Sequence, residues 1–246
     1  MQNCDVIAAE DTRVTGILLK HLSISKPLIS LQKFNEVSRI SQIQTRLERG
    51  ENVVLLSDAG TPCISDPGTV LIKALHEAKI RCIPIPGPSA VTAFLSVSGL
   101  SGTSFFFGGF FSKKPGKEDL EFFMKTEGVF VYFETALRLE KTIQFLEQFE
   151  DRIAYFSVGK ELSKTYETLI AGSLKEVREA LQQVTIKGEW IIGFELKTAV
   201  YDERIEEEVA FLKNLDLSKR QILAILERRG ISKNKAYNTV QKELLN

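Results

Sequence analysis

Three carboxylates follow apolar runs in this sequence, at positions where they could do acid–base or ligand-binding chemistry. Glu10 and Asp11 end the run in CDVIAAEDTR, and Asp58 ends the run in VVLLSDAGTPCISDPG. A carboxylate can take a proton as a general base, or accept hydrogen bonds from the hydroxyl and amino groups of a ligand. Simpler interpretations remain open, because Asp11 suits a helix N-cap and Asp58 suits a turn that bonds its own backbone.

The loop around Asp58 indicates the kind of ligand. Ala59 and Gly60 would let a ligand approach the backbone closely, because neither has a large side chain. The chain has neither GxxxxGK nor GxGxxG, so it has no recognised phosphate-binding loop. An acidic loop suits a ligand with hydroxyls, an amine or a positive charge, and S-adenosylmethionine has all three. Asp66, further along, is explained by capping of the helix that begins at Pro67.

A second loop of small residues, PIPGPSAV, follows the predicted strand Arg81–Ile85 and leads into a helix that opens at Pro88. Alone, it is typical of a rigid turn before a helix. The carboxyl ends of parallel strands meet at one edge of a sheet, so both loops can face one ligand. Another strand ends at Glu134, in YFET. We therefore predict these cofactor-binding residues: Ser57, Asp58, Ala59, Gly60, Pro86, Gly87, Pro88, Ser89 and Glu134.

Alternating strands and helices along the first hundred residues must position these loops. Apolar runs such as CDVIAA, PLISL and NVVLLS alternate with helical segments such as TRVTGILLKHL. A helix from Pro67 to about Ala78 follows the third of these strands. The helix capped by Asn35 would bury one face, formed by Val37, Ile40, Ile43 and Leu47. Strands that are apolar throughout and separated by helices predict a parallel sheet covered on both faces.

The pattern changes near Ser104 to that of a second, mixed α/β domain. RIAYFSVGKEL and TYETLIAG are close enough in sequence to pair as antiparallel strands, and EWIIGFEL closes the sheet. Polar clusters lie at the ends of these strands. GKELSK contains Lys160 and Lys164, and KGEW contains Lys187. Polar clusters at strand ends in both domains predict a cleft between them. The predicted domains are residues 1–103, 104–198 and 199–246.

The C-terminal region combines an acidic stretch, predicted to be a linker, with a basic helical one. Residues 201–208 hold five acids against one arginine, and residues 213–246 hold eight lysines and arginines against three acids. Ser218 and Gln221 form a capping box at the start of one helix, and Ser232 caps the next. Two short basic helices predict a helix-turn-helix-like, RNA-binding module. The alternative is a helical hairpin packed on the main body, with its basic face in solvent.

Composition is that of an ordinary globular protein. The chain has 246 residues, of which 43% are hydrophobic and 26% charged, and its formal net charge is zero. A neutral total neither favours nor excludes a nucleic-acid partner. Three cysteines without metal-ligand spacing indicate reduced thiols and no metal site. No apolar run approaches the ~18 residues of a membrane span, and no signal-peptide pattern is present, which predicts a soluble cytoplasmic protein without a membrane partner.

Five motifs, in this order and spacing, carry a family resemblance: AAEDTR, LLSDAGTPCISDPG, PIPGPSA, KELSKTYE and KGEW. Together they resemble those of the small-subunit ribosomal RNA 2′-O-ribose methyltransferases, in the tetrapyrrole-methylase superfamily. The similarity runs over nearly the whole chain, including the basic helical tail. SDAGTP with DPG is shared widely in the superfamily, whereas AAEDTR and KELSKTYE are close to diagnostic of the ribosomal RNA branch.

This resemblance implies the fold, the activity and the partners. It implies a two-domain, tetrapyrrole-methylase-like α/β enzyme that binds S-adenosylmethionine between its domains and methylates a cytidine ribose. The implied partners are ribosomal RNA or the small ribosomal subunit and a second copy in a homodimer. We expect Glu10 and Asp11 to be the catalytic residues. The expected RNA contacts are Arg13, Arg138, Lys160, Lys164, Lys187, Lys219, Arg220, Arg228, Arg229, Lys233 and Lys235.

The sequence departs from the family pattern at three points. The family's first strand, with its Thr-Pro-Ile-Gly-Asn-like loop, and the following helix do not precede CDVIAAEDTR here. Two expectations follow: a start further upstream, or an N-terminally truncated, non-catalytic RNA-binding relative. Ala136 and Leu137 replace a common Thr-His or Ser-His, and Lys160 stands where arginine is usual. A tetrapyrrole methylase is a third alternative, against which the basic tail and the ribosomal RNA motifs argue.

Overall fold

Strands and helices alternate along most of the chain. A computed structural model describes residues 1–102, 104–197, 201–215, 217–229, 231, 236–237 and 239–241. One compact unit is Met1–Val97 with Leu162–Lys164, and the other is Ser98–Glu161 with the described residues from Thr165 on. No helix in these ranges is long and apolar enough to cross a lipid bilayer. The elements are β1 (Val6–Ala9), α1 (Thr12–His21), β2 (Leu28–Ser30), α2 (Glu36–Glu48), β3 (Val53–Leu56), α3 (Thr69–Glu77), α4 (Ala90–Val97), β4 (Phe105–Phe110), α5 (Lys117–Lys125), β5 (Gly128–Thr135), α6 (Leu139–Leu146), a 3-10 helix (Glu147–Arg152), β6 (Ile153–Lys160), β7 (Thr168–Gly172), α7 (Leu174–Leu181), β8 (Glu189–Leu196), α8 (Tyr201–Lys213) and α9 (Lys219–Arg228).

The first unit contains a three-stranded parallel sheet in the order β2-β1-β3. The central strand, β1, is completely buried, and its side chains point alternately to opposite faces. Val6 and Ala8 pack in a cluster with α2 and α3, whereas Ile7 and Ala9 pack in a cluster with α1. Burying a Val or Ile side chain stabilises the fold by about 1.5–3 kcal/mol. Helices thus cover both faces, which confirms the predicted parallel sheet.

The predicted strand Arg81–Ile85 is wrong, because residues 80–89 form no regular secondary structure. Among the described strands β3 pairs with β1 alone, so the segment does not add a strand to the outer edge of β3. Ile83 is 64% exposed and Ile85 is 82% exposed, although both suggested a buried strand. Prolines at every second position also remove the donors from one edge of the segment: Pro84, Pro86 and Pro88.

The start of α3 also differs from the prediction. Asp66 is not the cap, because the helix begins at Thr69 after Gly68, whose φ is 128°. The capping group comes from α2 instead: Gly68 N and Leu71 N donate to Glu36 Oε1 at 3.1 and 2.9 Å. A buried carboxylate thereby satisfies N–H groups that the first turn of any helix leaves without partners.

The buried face of α2 is rotated from the predicted one. The helix begins after Asn35, as predicted, and Ile43 is fully buried. Val37, however, is 73% exposed. Glu36 occupies the buried face instead, because it is separated from Ile43 by seven residues, about two helical turns.

The second unit contains a five-stranded mixed sheet in the order β4-β5-β8-β6-β7. β4 runs parallel to β5, and every other neighbouring pair is antiparallel. β6 and β7 form the antiparallel pair that the sequence predicts. The core beneath this sheet is rich in aromatic rings, including Phe123, Phe130, Tyr132 and Phe194. A purely parallel sheet in one unit and a mixed sheet in the other confirm the predicted fold class.

A bulge bends β4 at the edge of this sheet. The pairing with β5 shifts between Phe107 and Phe110, and Gly109 has a φ of 70°. A Cβ at Gly108 would overlap the ring of Tyr132. Glycine at this position therefore allows that ring to lie directly against the β4 backbone.

Helices α8 and α9 pack together through a hydrophobic cluster of their own. The predicted capping box is confirmed, since Ser218 N donates to Gln221 Oε1 at 2.9 Å and Gln221 N donates to Ser218 Oγ at 3.4 Å. The acidic stretch lies within α8, so it is a helix and not a linker. Ser232 lies outside the described residues. The buried side chains of the two helices are Ile205, Val209, Leu212, Ile222 and Leu226.

Candidate active site

The acidic residues that follow β1 and β3 lie close together. The two strands are parallel neighbours, with Ala9 opposite Leu56, so their carboxyl ends meet at one edge of the sheet. Asp11 N donates to Asp58 Oδ1 at 3.1 Å, and Asp58 N donates to Glu10 Oε2 at 3.4 Å. All three carboxylates singled out in the sequence therefore form one cluster.

Asp11 holds both the start of α1 and the side chain of Arg13. It is the N-cap of α1, and its Oδ1 accepts from Arg13 N at 2.8 Å. The guanidinium donates to both carboxylate oxygens, with Nε 3.0 Å from Oδ1 and Nη2 2.6 Å from Oδ2. These hydrogen bonds stabilise the carboxylate and lower the pKa of Asp11 to about 2. So weak a base is poorly matched to taking a proton near neutral pH.

Glu10 is the better candidate for proton transfer. Its side chain is half-buried at the end of β1. Within the described part of the chain, its carboxylate accepts one hydrogen bond, the long one from Asp58 N. Most of its hydrogen-bonding capacity therefore remains available to a substrate.

Small residues and an unusual backbone shape the loop after β3. Ser57 is buried, and its Oγ donates to the carbonyls of Ala59 and Gly60 at 3.3 and 3.4 Å. Gly60 has a φ of 72°, and Cys63 and Ser65 have φ values of 70° and 69°. Left-handed conformations cost about 1–3 kcal/mol for residues other than glycine, and such strain clusters at ligand-binding sites.

The second small-residue loop lies against the first. Thr61 Oγ1 donates to Pro88 O at 3.0 Å. Pro86 and Gly87 are exposed, and Ser89 O accepts the first hydrogen bond of α4. The two predicted cofactor loops are thus neighbours, although the second follows an unpaired segment and not a strand.

The backbone of both loops is open to a ligand. A Cβ at Gly60 would meet no atom within 4 Å, and one at Gly87 would meet the Ile85 carbonyl at 3.9 Å. Ala59 is also exposed. Asp58 Oδ2 has no hydrogen-bond partner among the described residues, so it can accept from a ligand. An open backbone beside a carboxylate fits the ribose hydroxyls and the ammonium of S-adenosylmethionine.

Glu134 and Arg138 form a buried ion pair. Arg138 Nη2 lies 2.6 Å from Glu134 Oε1, and the Glu134 side chain has no exposed surface. The carboxylate also accepts from Thr135 N and Thr142 Oγ1, both at 2.6 Å, while Arg138 donates to Phe111 O at 3.2 Å. Because the protein itself occupies both groups, the geometry argues against the predicted cofactor contact of Glu134 and the predicted RNA contact of Arg138.

The lysines predicted at strand ends of the second sheet differ in exposure. Lys160 is 8% exposed, its Nζ donates to Thr185 O at 3.0 Å, and it lies 5.8 Å from the centroid of the Trp190 ring. Its ammonium is held inside the protein, which argues against an RNA contact. Lys164 and Lys187 are exposed, as an RNA contact requires.

The basic residues of α9 divide into two groups. Lys219 Nζ lies 4.3 Å from the centroid of the Tyr237 ring, and Arg229 forms an ion pair with α8. Arg220 and Arg228 are exposed and make no ion pair or hydrogen bond in the described ranges. Lys219 and Arg229 therefore contribute to packing, whereas Arg220 and Arg228 are available to a partner. Two further predicted contacts lie outside the described residues: Lys233 and Lys235.

Comparison with known proteins identifies the family. A model of the tetrapyrrole (corrin/porphyrin) methylases matches residues 1–178. The chain is 34% identical to the ribosomal RNA small subunit methyltransferase I of Haemophilus influenzae, covering 95% of this chain and 86% of that relative. It is 36% identical to the Synechocystis protein of the same name, covering 90% of this chain and 82% of that relative. The chain belongs to the ribosomal RNA small subunit methyltransferase I family.

Solved structures support the fold of this methyltransferase. A cobalt precorrin-4 methyltransferase superposes with a TM-score of 0.56 at 15% identity, covering 79% of this chain and 84% of that one. A uroporphyrin-III C-methyltransferase from Thermus thermophilus, complexed with S-adenyl homocysteine, superposes with a TM-score of 0.50 at 16% identity, covering 79% and 86%. At such identities the likeness establishes the α/β fold alone.

Sequence reasoning missed one residue of the methyltransferase site. Thr61 joins the two loops through its hydroxyl, but its partner Pro88 is 27 residues away. A lone threonine in SDAGTP gives no signal for this contact, apart from being a polar side chain among small residues. The contact depends on how the two loops fold against each other.

Proposed function

We propose that this methyltransferase transfers a methyl group from S-adenosylmethionine to the ribose 2′-hydroxyl of a cytidine in small-subunit ribosomal RNA. The observation that carries the proposal is the meeting of Glu10, Asp11 and Asp58 beside two open loops of small residues. The names of the curated relatives support ribosomal RNA as the substrate. The S-adenyl homocysteine in the similar Thermus structure supports the cofactor.

Two adjacent loops would hold the cofactor. When bound, S-adenosylmethionine supplies a methyl group on a sulfonium, from which a nucleophile displaces it. Asp58 offers Oδ2 to hydroxyl or ammonium donors, and the exposed backbones of Gly60 and Gly87 permit close approach. The proposed cofactor-binding residues are Ser57, Asp58, Ala59, Gly60, Pro86, Gly87, Pro88 and Ser89.

Glu10 would take the proton of the attacking 2′-hydroxyl. This hydroxyl is a weak acid, and because its proton leaves as the oxygen attacks, a modest base within reach is sufficient. Asp11 would act as a positioning residue, because its carboxylate is occupied by Arg13. The Arg13 side chain remains 87% exposed and offers its other donors to an RNA phosphate.

Exposed basic side chains would bind the RNA backbone. The proposed contacts are Arg13, Lys164, Lys187, Arg220 and Arg228, because each side chain is exposed. Two predicted contacts beyond the described residues complete the set: Lys233 and Lys235. The family resemblance of the motifs also supports a homodimer, and a ribosomal substrate supports action in the cytoplasm.

Methyl transfer from labelled S-adenosylmethionine to small-subunit ribosomal RNA, free and within the subunit, tests the proposal. We expect the label in 2′-O-methylcytidine after complete nuclease digestion. Label on a base, or on a tetrapyrrole offered in parallel, would contradict it. Calorimetric titration with S-adenosylmethionine tests the non-catalytic alternative, for which RNA would bind and the cofactor would not.

A further inference from the structure

A cavity of about 620 Å³ opens in the second unit, beside the loop that joins β4 to α5. The loop, α5 and β5 supply its walls. None of its side chains belongs to the proposed cofactor or proton-transfer residues. Its lining includes lysines, carboxylates and aromatic rings, among them Lys114, Lys117, Glu118, Asp119, Phe122 and Tyr132.

Aromatic rings form one wall of the cavity. The centroids of Phe122 and Phe123 are 5.3 Å apart, and those of Phe123 and Tyr132 are 6.2 Å apart. Phe123 and Tyr132 belong to the buried core, which holds them in place, whereas Phe122 is 38% exposed. An exposed ring supported by fixed rings is a suitable surface for stacking a planar ligand.

The Tyr132 hydroxyl is a polar group that the protein does not fully enclose, although most of the residue is buried. The residue is 7% exposed, and in the described part of the chain its hydroxyl makes no hydrogen bond. Burial, together with the negative charge of Asp119, raises the pKa of Tyr132, so the hydroxyl stays neutral and can donate. Because Tyr132 lines the cavity, a ligand there can accept a hydrogen bond from this hydroxyl.

Charged groups surround the opening. Lys114 has no ion pair among the described residues, and Lys117 Nζ is 3.8 Å from Glu121 Oε1 with its side chain largely exposed. Asp119 Oδ2 accepts from Gly116 N at 2.8 Å, which leaves Oδ1 available. The cavity therefore offers two lysines, the carboxylates of Glu118 and Asp119, and the hydroxyls of Ser112 and Tyr132 beside a ring surface.

We propose that this cavity binds one unpaired nucleotide of the RNA substrate. The base stacks on Phe122, and its N–H and acceptor groups pair with Asp119 and the Tyr132 hydroxyl. The adjacent phosphate lies between Lys114 and Lys117. The proposal rests on the proposed function, because it assumes an RNA substrate, and it adds a base-binding subsite that would select single-stranded RNA.

A second copy of the chain could also cover these rings, by binding at the edge strand β4. Phe105 and Phe110 on that strand are about half exposed. A flat protein surface would not, however, need a hydroxyl without a protein partner and two lysines around a cavity. The observations therefore favour the nucleotide, and the oligomeric state becomes an outcome of the test.

Fluorescence anisotropy with a labelled single-stranded RNA of small-subunit sequence tests the subsite on the full chain. Lys117→Ala should weaken RNA binding roughly five- to tenfold, since it removes a charge-assisted hydrogen bond to phosphate. Lys125→Ala is its matched control, because both lysines lie on α5 within 4 Å of Glu121 and Lys125 does not line the cavity. Tyr132→Phe should also weaken binding about fivefold by removing one hydrogen bond, while Tyr155→Phe should not.

Cofactor affinity and the melting temperature, measured on every variant, separate local from global effects. If the parent chain methylates RNA but Lys117→Ala and Tyr132→Phe bind RNA as tightly as their controls, the subsite is overturned and the proposed function stands. If the parent does not methylate RNA but these variants still bind it more weakly, the function fails and the subsite stands. Variants that change the sedimentation of the chain and leave RNA affinity unchanged would assign the cavity to a second copy and overturn the proposal.

Discussion

At the scale of single residues, Glu10 and Asp11 differ in what surrounds their carboxylates. Arg13 binds both oxygens of Asp11 and lowers its pKa to about 2, so Asp11 is ionised and fully occupied near neutral pH. Glu10 accepts one long hydrogen bond, from Asp58 N. Adjacent acids whose surroundings differ can take different roles, one as the base and the other as a support.

Glu10→Gln should lower the single-turnover rate of methyl transfer by about 10²–10⁴-fold, the effect usual for loss of a general base. Affinity for cofactor and RNA should be unchanged. Asp11→Asn should keep most of the rate and raise the KM for RNA, because asparagine still caps α1 but no longer holds Arg13 as an ion pair. Rapid-quench measurements with excess enzyme distinguish these effects, and an unchanged rate for Glu10→Gln would mean that another group takes the proton.

At the scale of secondary-structure elements, α2 and α3 are joined by a buried carboxylate. Glu36 accepts from the N–H groups of Gly68 and Leu71 and thereby caps α3 from outside. Twelve residues separate β3 from α3, and this segment includes the strained loop proposed to hold the cofactor. Capping at this point therefore fixes the far end of that loop.

Glu36→Ala should lower the free energy of unfolding by about 2–4 kcal/mol, since each buried donor left without an acceptor costs about 1–3 kcal/mol. Glu36→Gln should cost less, because its amide oxygen can still accept. Glu48→Ala, at the exposed end of the same helix, is the control and should stay within about 0.5 kcal/mol of the parent. Urea unfolding followed by circular dichroism measures all three, and equal losses for Glu36→Ala and Glu48→Ala would exclude the capping role.

At the scale of the whole molecule, a net charge of zero conceals a strong local asymmetry. The acidic stretch lies within α8 and the basic residues lie on and after α9, and the two helices pack together. Arg229 is occupied by an ion pair with α8, whereas Arg220 and Arg228 remain exposed. The local distribution of charge thus matters more for an RNA partner than the total does.

Reversing both Arg220 and Arg228 to glutamate should weaken RNA binding strongly and reduce the slope of its salt dependence by about two, one unit for each phosphate that is no longer neutralised. Cofactor affinity should not change. A Lys73→Glu, Lys141→Glu double variant alters the net charge equally at exposed positions elsewhere and should have a much smaller effect. RNA titrations at several salt concentrations test this, and equal slopes for the two double variants would assign α9 to packing.

Local patterns in the sequence determined the class of fold, the strand pairing of β6 with β7 and the capping box at Ser218. These features depend on the order of apolar residues and on contacts between near neighbours, which a sequence displays directly. Tertiary structure alone decided that Glu36 caps α3 from 32 residues away, that residues 80–89 pair with no described strand, and that Tyr132 lines a cavity. Each of these depends on which distant segments lie side by side, because a capping group, a ladder partner and a cavity wall all come from elsewhere in the chain.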